Sequence, residues 1–134
     1  MRKPQTEANK QLRALLKTGK RNKYGVAAKA DRTWKGVVYH SKREMVEAQS
    51  LAKRLERGEI KTLSIQHRFS LYAFNFPATY LRVHVCDHLV DFLVCHNDGS
   101  FEVIEVKGMK TEVWKLKRKW FEACYPHIKY TVVK

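Results

Sequence analysis

The stretch 90-VDFLVCHNDGSFEVIEVKG-108 decides the fold. Two apolar runs flank a turn, yet they carry Asp91, Glu105 and Lys107. A strand buried on both faces does not hold charges unless something compensates them. In an antiparallel hairpin, residues that face one another share a side of the sheet, so their numbers sum to a constant. A three-residue loop Asn97-Asp98-Gly99, with Gly99 left-handed, pairs His96 with Ser100. Cys95 then falls opposite Phe101, Leu93 opposite Val103 and Asp91 opposite Glu105, with Lys107 one step further along the same side. A two-residue Asp98-Gly99 turn would put the two acids on opposite sides. The longer loop makes sense of both faces: one runs Cys95/Phe101 and Leu93/Val103 to the acidic pair, and the other runs Phe92/Ile104 and Val90/Val106, fit for a helix to cover. Only Val94/Glu102 is left odd.

Two carboxylates about 5 Å apart repel each other and need a cation unless one is protonated. Oxygen-only ligation suits a hard ion, Mg²⁺ or Mn²⁺, which keeps waters and binds phosphate oxygens. Such an ion supplies what phosphodiester hydrolysis needs, an activated water and a counter-charge for the transition state. Lys107 points the same way as Glu105, placed to orient the water, to stabilise charge or, with a depressed pKa, to act as base. The bland alternative is a surface Glu-Lys pair of little energetic worth. Asp91 argues against it, because it interrupts the apolar run from Leu89 to Cys95.

Working outward, 41-SKREMVEAQSLAKRLERGEI-60 is a helix with Ser41 as N-cap and Gly58 as stop. Glu44 begins the row that continues through Ala48, Leu51, Ala52 and Leu55, which sets its carboxylate at the edge of the buried face. Ser-x-x-Glu is also the spacing of a capping box, so spacing alone leaves Glu44 between a cap and a ligand, with the cap the commoner. The runs 62-TLSIQHRFSLYAF-74 and 79-TYLRVHVCDHLVDFLVCH-96 are strand-like, broken by "NFPA", and 100-SFEVIEVKG-108 is a third strand. The segment 111-TEVWKLKRKWFEACYP-126 is a helix capped by Thr111, with Val113, Leu116, Trp120 and Cys124 as its expected inward stripe. A last strand, "IKYTVV", closes the chain. The order α-β-β-β-α-β predicts an α/β fold with a central mixed sheet flanked by helices over 41–134, preceded by a basic N-terminal arm, 1–40, with room for a short helix at "EANKQLRALLK".

The chain has 134 residues, 44% apolar, enough for one domain with a core. Its formal charge is +14, which points to a polyanion, nucleic acid before membrane. No apolar run approaches the roughly 18 residues of a membrane span, and no signal-peptide core follows the basic start. Three cysteines, without framework spacing, suit a reducing cytoplasm. Lys110, Lys115, Lys117, Arg118 and Lys119 around the second helix, with Lys20, Arg21 and Lys23 in the arm, are candidate phosphate contacts or a solvated face. Cys86, His88, Cys95 and His96 fit no zinc-finger spacing. No glycine-rich phosphate loop appears, so no nucleotide cofactor is expected.

At this point the residues match a family. The pattern D91-x13-E105-V106-K107, after a helix carrying Glu44 and before a basic helix, resembles the PD-(D/E)xK nuclease superfamily, and most closely its small phage-encoded, Holliday junction resolvase-like endonucleases. The resemblance rests on "KYG" at 23–25, Gly36 in a short strand, "SKRE" at 41–44, "GEI" at 58–60, Gln66, "DF" at 91–92 and "EVKG" at 105–108. His67 stands where such proteins often have Pro, and Val90 where they often have Ala. The resemblance implies a restriction-endonuclease-like core and Mg²⁺-dependent cleavage of DNA (Mn²⁺ substituting). It implies Asp91, Glu105 and the Val106 carbonyl as metal ligands, Glu44 as the helix carboxylate completing the site, Lys107 as catalytic lysine, and Gln66 reaching the site or the scissile phosphate. Branched DNA is the first expectation for substrate, with a homodimer to cut both strands and, for a phage protein, the cytoplasm of a bacterial host as location. The alternatives are a less selective or sequence-specific duplex nuclease, and a non-catalytic basic nucleic-acid binder.

Overall fold

The computed structural model describes residues 25–75 and 81–134. The possible helix at "EANKQLRALLK" and the arm residues Lys20, Arg21 and Lys23 lie outside them. The described residues fall into two compact units, divided between Lys42 and Arg43.

In the first unit a 3₁₀ turn, Ala30–Arg32, leads into a small hairpin of β1 (Thr33–Trp34) and β2 (Val37–Val38). Lys35 and Gly36 form its turn at φ 47° and 78°, the positive pair a type I′ turn requires. The Arg32 guanidinium donates to the carbonyls of Ala27 and Tyr39, tying the hairpin down. So the segment expected as a basic arm contains a folded hairpin, with Gly36 in its turn and not in a strand.

The second unit holds α1 (Lys42–Glu56, from its first residue at the boundary), β3 (Thr62–Phe74), β4 (Arg82–Cys95), β5 (Phe101–Val106), α2 (Glu112–Cys124) and β6 (Lys129–Val133). This is the anticipated α-β-β-β-α-β order. Gly58, at φ 70°, ends α1 in a Schellman turn: its N–H donates to the Leu55 carbonyl, and that of Glu59 to Arg54. The sheet runs β3-β4-β5-β6, antiparallel except for β5 and β6, which are parallel because α2 carries the chain back between them. It is a mixed α/β sheet. No described helix is long and apolar enough to cross a membrane.

The β4–β5 hairpin has the register expected of a three-residue loop. Cys95 pairs with Phe101, Leu93 with Val103 and Phe92 with Ile104. The His96 N–H donates to Ser100, and Gly99 is left-handed at φ 87°. One detail differs. Val90 packs with Phe69, Leu71, Val103 and Phe121 in one cluster, although strict alternation puts Val90 on the opposite face from Leu93/Val103. The matching slip on β3 brings Ser64 Oγ within 3.1 Å of His67 Nδ1, two residues that alternation would separate. Between these points the pairs Ile65/Phe92 and His67/Val90 leave Gln66 opposite Asp91, and Gln66 is left-handed at φ 52°. A non-glycine residue in that region costs about 1–3 kcal/mol. Both strands therefore change face at one point, and that point carries Asp91.

Helix α2 is rotated from its expected face. Thr111 caps it as anticipated, its Oγ1 accepting from the Trp114 N–H. However, Val113 and Leu116 are 66% and 60% exposed, while Trp114 and Phe121 are buried. The helix carries two neighbouring apolar rows, and the one with the large aromatics turns inward because each buries more area than Val or Leu. Phe121 sits edge-on to Phe69 and Tyr130 at 4.9 and 5.4 Å. Trp120 and Cys124, from the expected stripe, keep partial burial against the Tyr72 carbonyl.

Phe121→Ala is expected to cost about 3–5 kcal/mol in urea unfolding, and Leu116→Ala less than about 0.5 kcal/mol. The opposite ranking would restore the stripe expected from the sequence.

Candidate active site

The β4–β5 ladder stops at Phe92/Ile104, and beyond it the strands exchange side chains for backbone. Glu105 Oε2 accepts from the Asp91 N–H at 3.3 Å, and Asp91 Oδ2 accepts from the Val106 N–H at 2.8 Å. Each acid thus caps an amide of the opposite strand. Glu105 is buried, 3% exposed, and its Oε1 accepts from the Trp114 indole at 3.1 Å and faces Lys107 Nζ at 3.9 Å. Lys107 also lies over the Trp114 ring, 5.6 Å from its centre. The first turn of α1 delivers Glu44, 2% exposed, with a carboxylate oxygen within 4.8 Å of one from Asp91. A residue's N–H and C=O leave an extended strand on the same side, so the Val106 carbonyl faces the β4 side, where its N–H meets Asp91.

Among the described residues, the carboxylates of Asp91 and Glu105 lie close together with Lys107 beside Glu105, and Glu44 approaches Asp91. Burial, then the charges of Glu105 and Glu44, push the Asp91 carboxyl up from 3.8 to about 7, against the pull of the Val106 amide and Lys107. Burial raises Glu105 as well, opposed by Lys107 and by the N–H groups of Asp91 and Trp114. Glu102, on the same strand, behaves in the opposite way. It too is buried, and burial alone would raise it. Hydrogen bonds from Thr131, His96 (2.8 Å) and Lys129 (3.3 Å) outweigh that and hold it below the usual range. Glu102 is an acid with a cation, Lys129, supplied, which accounts for the odd Val94/Glu102 pair. Asp91 and Glu105 are acids that burial raises. Their donor set, carboxylates plus a carbonyl, fits a hard divalent ion.

The other expected residues divide. Gln66 stands opposite Asp91, strained as described. Lys110, Lys115 and Lys119 are exposed. Lys115 pairs with Glu112 at 2.7 Å, and Arg118 pairs with Glu122 while lying over Tyr130. Lys117 is half-buried and donates to the Asp87 carbonyl at 2.9 Å. His88 is a buried core histidine, stacked on Tyr130 and bonded to its hydroxyl at 2.9 Å; burial, then Lys117 and Lys107, lower it to about 4. Trp114 is the site residue that sequence reasoning missed. Its position eight residues beyond Val106 carries no signal until α2 is docked.

The chain belongs to a family described as "Protein of unknown function (DUF1064)", whose model matches residues 21–134. Neither the curated proteins nor the solved structures give a match.

A carboxyl raised on folding opposes folding once it ionises. Between about pH 4 and 7 folded Asp91 keeps a proton that the unfolded chain has released, so stability falls as pH rises through that window. Metal-free Asp91→Asn should therefore melt several degrees above the parent at pH 8, by about 1–3 kcal/mol, with the difference narrowing below pH 7 and closing by about pH 4. Equal melting at pH 8 would mean that Asp91 ionises without cost.

Proposed function

We propose that this protein is a metal-dependent DNA endonuclease with a restriction-endonuclease-like core. The observation that carries the reading is the pair Asp91 and Glu105, two carboxylates raised by burial where β4 and β5 part, with Glu44 brought within 4.8 Å of Asp91, in a chain of net charge +14. Carboxyls pushed up by burial and by each other's charge mark functional sites, and a divalent ion between them would offset that cost. Asp91, Glu105, the Val106 carbonyl and Glu44 would hold Mg²⁺, with Mn²⁺ able to substitute. Bound there, the ion would supply an activated water and a counter-charge for the departing oxygen.

The remaining steps belong to the chain. Lys107, between Glu105 and the Trp114 ring, is tethered close to the ligands and oriented by both. From there it donates to the water or to a phosphate oxygen. The exposed Lys110, Lys115 and Lys119 line the approach as backbone contacts, which give affinity without sequence information. Substrate choice therefore rests on DNA shape, and branched DNA is the preferred reading. Paired cuts in opposite strands call for a homodimer.

A second reading has one observation in its favour. Asp91 and Glu105 each satisfy a backbone amide where the strands part, a structural task a non-catalytic nucleic-acid binder would also need. Glu44 separates the two readings, since it brings a third buried charge toward Asp91 that the amide-capping task does not require.

Purified protein should nick or cut labelled DNA in Mg²⁺ and not in EDTA. Asp91→Asn should lower the rate by about 10³-fold and Lys107→Ala by about 10²-fold, with DNA binding in EDTA retained or tightened in Asp91→Asn. Binding without any Mg²⁺-dependent cleavage by the parent would leave the second reading standing. Affinity should also fall steeply with salt, and Lys115→Ala with Lys119→Ala should flatten the log–log slope by about 2. An unchanged slope would remove α2 from the DNA contact.

A further inference from the structure

At the end of α2 away from Trp114, its last turn and the β3–β4 ribbon enclose a hollow of about 440 Å³. It is lined by Tyr72, Phe74, Trp120 and Tyr125, with Arg82 as the one charged residue among the described lining. The polar ends of two rings are already used inside the fold: the Trp120 indole donates to the Tyr72 carbonyl at 2.7 Å, and the Tyr125 hydroxyl to Ser70 at 2.8 Å. What these residues offer a visitor is therefore ring surface. Arg82 is exposed and stacks over the Tyr72 ring at 4.1 Å, and Phe74 is 68% exposed.

We infer that this hollow binds an unpaired nucleobase of single-stranded or branched DNA, stacked between the aromatic rings and held by Arg82. Flat aromatic faces with an arginine plane and no carboxylate are the chemistry with which proteins hold unstacked bases beside an anionic backbone. A hollow meant for an apolar peptide would gain nothing from a lone guanidinium at its mouth, whereas the phosphate attached to a base pairs with it.

The placement supports the same occupant. Helix α2 begins at the carboxylates, through Trp114 and Glu105, and ends at the hollow, through Trp120 and Cys124, about 15 Å along its axis. Its exposed Lys115 and Lys119 lie between. Along β4, Asp91 and Arg82 are nine residues apart, about 30 Å of strand. The two sites are thus joined by rigid elements with a basic helix between them, and they are spaced for a strand whose phosphate reaches one while a base some nucleotides away enters the other. The inference deepens the nuclease reading and rests on it for the choice of DNA as ligand.

The experiment measures binding in EDTA, so it does not depend on cleavage. Fluorescence anisotropy compares a blunt duplex with the same duplex bearing a single-stranded tail of about ten nucleotides. A 2-aminopurine placed in the tail reports stacking. The parent should bind the tailed duplex about tenfold tighter than the blunt one, within the range of stacking one or two bases, and should quench the 2-aminopurine. Phe74→Ala with Arg82→Ala, both exposed positions, should abolish the tail preference and the quenching while leaving blunt-duplex affinity and melting temperature unchanged. Equal affinity of the parent for tailed and blunt DNA would overturn the inference. So would a double variant that keeps the preference, or one whose only change is dissociation of a dimer, which would identify the hollow as a contact with a second copy. Tail preference without Mg²⁺-dependent cleavage would uphold the stacking site and sink the nuclease; cleavage without tail preference would do the reverse.

Discussion

The structure depends on what happens where β4 and β5 part. Antiparallel strands that separate leave amides without acceptors, and an unsatisfied buried N–H costs as much as a lost hydrogen bond. Here Asp91 and Glu105 supply the acceptors, each to the other strand's backbone. The remedy brings two buried charges with it, and α1 adds a third in Glu44. Everything specific to the site follows from that exchange: the raised Asp91 carboxyl, the indole on Glu105, and Lys107 held between Glu105 and Trp114.

Most of the fold was legible because it is written in short-range signals. Gly58 fixes the end of α1, Thr111 the start of α2, and Asn97-Asp98-Gly99 the hairpin register, each by local backbone chemistry. Register then placed Asp91 opposite Glu105 before any tertiary contact was known. The rotation of α2 was not legible, since Val113/Leu116/Trp120 and Trp114/Phe121/Tyr125 are both plausible stripes at helical spacing. Only the sheet decides between them, by offering Phe69 and Tyr130 as ring partners to Phe121. The change of face at Asp91 was hidden for a similar reason. Nothing about a glutamine in a β-rich run announces a left-handed backbone.

That strained Gln66 bears on the acids directly. Had β3 and β4 kept strict alternation, Asp91 would share a face with Leu93 and project from the sheet beside Val103. The slip instead lets its carboxylate reach the Val106 amide beyond the last ladder pair. The strain at Gln66 is thus spent where the geometry of the acids is set, the usual location of such outliers. Glu102 shows what an acid on the same strand looks like without this arrangement: surrounded by donors, ionised and inert.

The same charges bear on how a polyanion meets the protein. Among the described residues the acids Glu44, Glu102 and Glu105 are buried, so the exposed basic side chains meet less opposition than the net +14 suggests. Such a surface draws phosphate in, while the carboxylates of Asp91 and Glu105 repel it. On the proposed nuclease reading, a metal-free site would discourage a scissile phosphate and a divalent ion would reverse the sign there. On that reading the ion and the phosphate would bind cooperatively, each lowering the electrostatic cost of the other, at a carboxyl that burial, then the charges of Glu105 and Glu44, already lift to about 7.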